Sequence, residues 1–135
     1  MQLADAAHSG HGRPVLVDRK DVHEIQLAKG AIRAGTQILL LEAGLTDQDL
    51  DRIVIAGAFG TYIHIPSAIQ VGMLPDLPLE RFEQVGNAAG VGARQMLVSR
   101  ERRKQASEIC RKVNYIELTT HADFTDQFMD AIFFK

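Results

Sequence analysis

The sequence predicts an α/β domain with a largely parallel sheet. Short β-branched runs alternate with helical periods, and two of those runs end in glycine turns that open new helical stretches. Composition is globular, with 46% hydrophobic and 24% charged residues in a chain of 135. A chain of that length can bury a core without disulfides. The formal net charge is −2 with both signs interleaved, which excludes the basic stripe of a nucleic-acid surface. No apolar run approaches the ~20 residues of a membrane span and no signal peptide precedes the body, so a cytoplasmic location is expected.

In chain order, residues 1–13 carry no sustained apolar period and form an expected loose lead-in to a single domain at 14–135. His8 and His11 have no third ligand nearby, so no metal site is expected there. Pro14–Val17 is a short β-type run closed by Asp18. Asp21 has N-cap spacing, with Glu24 three residues on, predicting a helix from Val22 to Ala43 capped by Gly44. On its wheel, Ile25, Ala28, Ile32, Leu39 and Ala43 make one apolar stripe, and Leu27, Ala31, Ala34, Ile38 and Leu41 another. Gln26, Lys29, Gly30, Arg33 and Gln37 make the remaining polar strip, which periodicity alone assigns to solvent.

Thr46 caps a short turn, and Ile53–Ala56 reads as a strand buried on both faces. A helix with Pro66 in its first turn and Gly72 near its end follows, then a proline-punctuated connection over Met73–Glu80. Phe82–Val85 is a further strand, and Asn87 caps the next helix. A basic amphipathic helix spans Glu101–Lys112; its run Arg100–Lys104 reads as a solvated face. Cys110 is the only cysteine, so the chain holds no internal disulfide and no cysteine-ligated iron–sulfur cluster; Ala106, Ile109 and Val113 around it predict a buried apolar role. Asn114–Leu118 is the last predicted strand. Phe124, Phe128, Met129, Ile132 and Phe133 at helical spacing predict a final core-facing helix.

Two glycine turns carry what chemistry the sequence suggests. In Gly57-Ala-Phe-Gly60, at the carboxyl end of a strand, glycine permits positive φ and close approach of a ligand to the backbone. In Gly86-Asn-Ala-Ala-Gly-Val-Gly92, helix-start N–H groups could face an anion, or Gly90 and Gly92 could let helices pack closely. Neither turn is a named phosphate loop, and each stays open between tight packing and ligand cradle.

Taken in order, Asp21–Gly35, Ile53–Ile63, Ala68–Pro75 and Gly86–Ala93, with Tyr115–Leu118 and the Phe124, Phe128, Phe134 ending, resemble the C-terminal domain of the reductive activators of corrinoid proteins. The resemblance spans roughly residues 14 to 134. It implies the C-terminal half of an actin-like, ribonuclease-H-like ATPase fold, with a mixed sheet flanked by helices. It also implies ATP with Mg2+ as ligand and iron–sulfur electrons reducing a cobalt(II) corrinoid. A corrinoid protein is then the docking partner, a missing N-terminal lobe and ferredoxin domain are further partners, and a homodimer is expected; nucleic acid and membrane are not. Position by position, it assigns adenosine contact to Gly57, Ala58, Phe59 and Gly60, where family members often carry two adjacent glycines and Ala58 departs. Gln26 and Lys29 match a helix strip that clasps adenine and ribose. The superfamily's Asp-x-Gly-Thr phosphate loop and the ferredoxin cysteines are absent, so the chain is an excised piece or a short paralogue, and no hydrolysis by it alone is expected. The competing reading is a protein-interaction or dimerisation module of the same fold without nucleotide binding.

Overall fold

The computed structural model describes residues 1–134, Phe59 by its backbone alone. Two small sheets and five helices make up the described α/β fold. Strand β1 (Gln2–Ala4) pairs antiparallel with β2 (Val15–Leu16). The first residues of the expected lead-in are therefore tied to the body, and the Met1 ammonium adds a bond to the Val17 carbonyl at 2.7 Å.

Helix α1 runs Arg19–Ala43, one turn earlier than Asp21 and Glu24 suggested. Asp18 is the cap: its carboxylate accepts from the N–H groups of Lys20 at 2.7 Å and Asp21 at 3.1 Å, while Asp21 accepts from the Asp18 N–H at 2.9 Å. That reciprocal box satisfies donors that a start at Asp21 would leave open. Gly44 ends the helix at φ 66°, as expected of a C-cap.

Strand β3 (Ile53–Ala56) pairs in parallel with β4 (Phe82–Gly86). Between them lie a 3-10 turn at Phe59–Tyr62 and helix α2 (Ile65–Gln70), with Pro66 in the first turn as predicted. Helices α3 (Ala88–Val98) and α4 (Arg100–Cys110) follow, capped by Asn87 and Ser99. Helix α5 (Phe124–Ile132) packs along α1 in the most extensive contact between two elements among the described residues.

Further expectations change. Strand β3 is covered on one side only: Val54 is 50% exposed while Ile53 and Ile55 are half-buried. Residues 114–117 form no strand, since a strand exists only through its ladder and this segment has no ladder partner among the described residues. Cys110 is exposed, because α4 packs mainly on α3 and leaves Ile109 and, just beyond the helix, Val113 open. The basic run Arg100–Lys104 lies exposed, as predicted.

The largest departure concerns α1. Its polar strip, expected in solvent, faces the interior: Lys29 is 1% exposed, Gly30 is buried, and Gln26, Arg33 and Gln37 are half-buried. The first apolar stripe is the outer face, with Ile25, Ala28, Ile32, Leu39 and Ala43 all exposed; of the second, Ala34 and Ile38 are buried, Leu27 is half-buried, and Ala31 and Leu41 are exposed. Steric fit explains the inversion. A Cβ at Gly30 would lie 3.3 Å from both Ile132 Cα and Phe128 Cε2, so α5 sits in a notch that only the small residues on this side provide. The polar groups are then satisfied locally. Arg33 Nη1 donates to Asp47 Oδ1 at 3.0 Å and its Nη2 to Oδ2, and the Lys29 ammonium donates to the Phe133 carbonyl. The core beneath is Ala34, Ile38, Leu40, Ala68 and Leu77.

Candidate functional site

The two glycine turns, 29 positions apart when counted from Gly57 to Gly86, are neighbours in space. Parallel pairing aligns the carboxyl ends of β3 and β4, and the register shifts so that Ala56 faces Gly86. The Gly57 N–H then donates to the Gly86 carbonyl at 2.6 Å. Both residues are left-handed, Gly57 at φ 103° and Gly86 at φ 61°, a region costly for residues with a Cβ.

The glycines of the first turn serve different ends. A Cβ at Gly60 would approach Ile55 Cγ2 to 2.7 Å, so Gly60 lets the turn fold back on its own strand. A Cβ at Gly57 would meet nothing within 4 Å: the space beside it is open. Packing thus accounts for Gly60 and not for Gly57. Ala58, at φ −59°, is exposed, and its methyl needs no strained backbone. The Phe59 side chain lies outside the described residues.

Gln84, which sequence reasoning did not single out, braces this turn. Its Nε2 donates to the carbonyls of Gly60 at 2.5 Å and Ile63 at 2.9 Å, tying the middle of β4 to the loop after β3. A glutamine inside a predicted strand was the available signal, because strand interiors favour β-branched and aromatic residues. At the second turn, Asn87 Oδ1 accepts the Gly90 N–H at 2.9 Å. A Cβ on Gly90 would fall 2.7 Å from Asn87 Nδ2, so this glycine makes room for the cap. Gly92 has nothing within 4 Å of an added Cβ, and close helix packing is not its role.

Gln26 and Lys29 are carried by α1. Gln26 lines an open groove of about 750 Å³ with Met1, Val17, Asp18, Arg19 and Val22. Lys29 lies under the residues after α5, donating to the Phe133 carbonyl with its ammonium 5.4 Å from the centroid of Phe134. Gly57, Ala58 and Gly60 therefore share one turn, while Lys29 is engaged with the end of the fold.

Titration is perturbed away from these turns. The Thr46 hydroxyl and N–H hold Asp49 below the usual carboxylate range. Glu117 is lowered by the Tyr115 hydroxyl, and Tyr115 is raised in return. Asp5, lowered by its bond from His8, pairs with that histidine at 2.7 Å. No group of three metal-ligating side chains occurs among the described residues, and no helix among them is long and apolar enough to cross a membrane.

A mixed α/β unit with adjacent glycine turns at the carboxyl ends of parallel strands is the class of fold that presents ligand sites there. Comparison with known proteins makes the class specific. Residues 1–135 match the family described as the C-terminal domain of RACo, the ASKHA domain, and the chain belongs to that family. It is 37% identical over 128 residues to the corrinoid activation enzyme RamQ of Eubacterium limosum, covering 95% of this chain and 22% of that protein. Identity is 28% over 120 residues to a [Co(II) methylated amine-specific corrinoid protein] reductase of Methanosarcina barkeri, covering 87% of this chain and 22% of the relative. The solved structure of a reductive activator for corrinoid, iron–sulfur protein superposes with a TM-score of 0.89 at 38% identity, over 98% of this chain and 21% of that one. The chain thus spans about a fifth of the length of the proteins it matches.

Proposed function

We propose that this chain is the adenosine-contacting part of an ATP-dependent reductive activator of corrinoid proteins, with the Gly57–Gly60 turn as its point of contact. The observation that carries the reading is the open space beside Gly57, at the carboxyl end of β3 and fixed by the bond to Gly86. Open space beside a residue with no Cβ suits a flat nucleoside, and Gln84 braces the turn through the Gly60 carbonyl. ATP with its magnesium ion supplies the phosphoryl group whose binding or cleavage drives the activator. Phosphoryl-transfer groups belong to the remaining four-fifths of such a polypeptide. Gln26 and Lys29 complete the proposed site. Lys29 reaches a nucleotide only by releasing the Phe133 carbonyl, so binding and the position of the residues after α5 are linked. The corrinoid protein is the proposed partner and the cytoplasm the proposed location.

Calorimetric titration with ATP and magnesium tests this, on the chain and on a full-length activator carrying it as C-terminal segment. Ala58→Trp adds bulk on the exposed side without backbone strain and should weaken binding by about tenfold or more, roughly 1.4 kcal/mol. Gly57→Val should do the same, at a cost in stability from its φ. Failure of both proteins to bind sinks the reading and leaves the interaction module, which the open apolar face of α1 favours.

A further inference from the structure

We propose that the α3–α4 hairpin is a docking surface for a separate, acidic protein, one that presents carboxylates around an apolar side chain. The proposal rests on the charge and packing of this hairpin and not on nucleotide contact at Gly57. Residues 94–112 hold seven of the chain's 15 basic residues and only two of its 17 acidic ones, although the whole chain stands at −2. Arg94, Arg100, Arg102, Arg103, Lys104, Arg111 and Lys112 are all exposed. Among the described residues none of the seven forms an ion pair, whereas Arg33 and Arg52 do. Local stability does not account for this placement. Arg100, Arg102 and Arg103 crowd the first turn of α4, where the partial positive charge of the helix start repels them. Arg100 and Lys104 add like charges one turn apart, which weakens a helix further. A permanent cover would hold all of these charges out of water, at a high desolvation cost. The hairpin suits a surface that stays wet until a partner arrives.

Apolar groups lie among the charges. An open notch of about 240 Å³ between the two helices is lined by Met96, Ala106 and Ile109, with Arg102 and Gln105 beside them. Arg102 Nη1 donates to Gln105 Oε1 at 3.0 Å, which holds the guanidinium at the notch. Arg103 Nη1 donates to the Met96 carbonyl at 2.5 Å and so sits at the corner between the helices. Leu97 and Val98 stand 79% and 87% exposed at that corner. Apolar anchors ringed by arginine are the anatomy of a protein–protein contact. Two further features select the class of partner. Five of the seven cations are arginine, whose planar fork takes a carboxylate through two parallel bonds. No aromatic residue lies between Phe82 and Tyr115, so the hairpin has neither a platform for stacking single-stranded bases nor an aromatic anchor for a lipid surface.

Fluorescence anisotropy with a labelled peptide of glutamates interspersed with leucines tests the proposal. It is measured on this chain and on a chimera in which the chain replaces the matching segment of the Eubacterium limosum relative. Should that chimera aggregate, the relative with only residues 88–113 exchanged takes its place. Both proteins should bind the peptide saturably. The double variant Arg102→Glu, Lys104→Glu, its folding checked by urea unfolding, should weaken binding by about tenfold or more. Leu97→Ser should weaken it by about fivefold, as loss of one anchoring side chain does. That loss should persist at high salt, where attraction between bare charges is screened. Absence of binding, or binding indifferent to both variants, overturns the proposal. Binding by the isolated chain but not by the chimera also overturns it, because the surface is then covered within one polypeptide. Displacement of the peptide by duplex DNA or phosphatidylglycerol vesicles more readily than by unlabelled peptide overturns it in favour of nucleic acid or a lipid surface. Self-association of the chain that the charge reversal abolishes transfers the surface to a second copy.

Discussion

The two faces of α1 reverse what their residue types suggest. The face bearing Gln26, Lys29, Arg33 and Gln37 is the packed one, while the face bearing Ile25, Ile32 and Leu39 is open. The packed face is held by α5 in the Gly30 notch and by polar ties that satisfy what is buried; the open face has only its apolar character. Side-chain polarity is thus a poor guide to the orientation of this helix. Local shape, here glycine at the crossing point, decides which side receives the neighbour.

The contrast can be broken most sharply at Lys29. Lys29→Met keeps the aliphatic stem but removes the donor to the Phe133 carbonyl, and urea unfolding should show a loss of about 2 kcal/mol, the range for a hydrogen bond to a charged group. Ile32→Gln on the open face should stay within about 0.5 kcal/mol in the same assay. A larger loss at Ile32 than at Lys29 would show the faces wrongly assigned. Next in size is Gly30→Ala. It gains about 1 kcal/mol of helix propensity, but its Cβ meets the backbone of Ile132 at 3.3 Å, and overpacking of about 1–3 kcal/mol should leave it net destabilised. Gly35→Ala meets only Leu118 Cδ1 at 3.1 Å, the movable tip of a side chain, and should come out neutral or slightly stabilised.

The smallest effect lies beyond both faces, at Glu117. The Tyr115 hydroxyl lowers its carboxyl below the ordinary value, so the contribution to stability is present above the unfolded-state value and is lost as pH falls through the folded one. Tyr115→Phe should move the Glu117 titration, followed by NMR, upward toward its ordinary value. An unchanged titration would show the bond absent in solution.

Local signals carried the reading where local physics decides. Gly44 ends α1, Thr46 and Asn87 cap the elements assigned to them, Ile53–Ala56 is a strand as its β-branched run suggests, and Phe82–Val85 is one between its apolar ends. The start of α1 was misread because Asp18 and Asp21 are both competent caps, and only the reciprocal bonds distinguish them. Residues 114–117 misled because β propensity cannot report whether a partner strand is present. Of the candidate site, the glycine turns were legible one at a time. Their pairing through Gly57 and Gly86 is a long-range fact of register, and so is the covering of Lys29 by residues 104 positions later.

That separation bears on how the chain is made. At ribosomal rates of about 5–20 residues per second, roughly 5 to 20 s pass between synthesis of Lys29 and of Phe133. Throughout that interval α1 has no α5 to cover it. Were its inward side apolar, the nascent helix would be greasy all round and open to mispairing. The Lys29 ammonium and the Arg33 guanidinium on that side are solvated until the cover arrives, and in the finished fold they bond the Phe133 carbonyl and the Asp47 carboxylate.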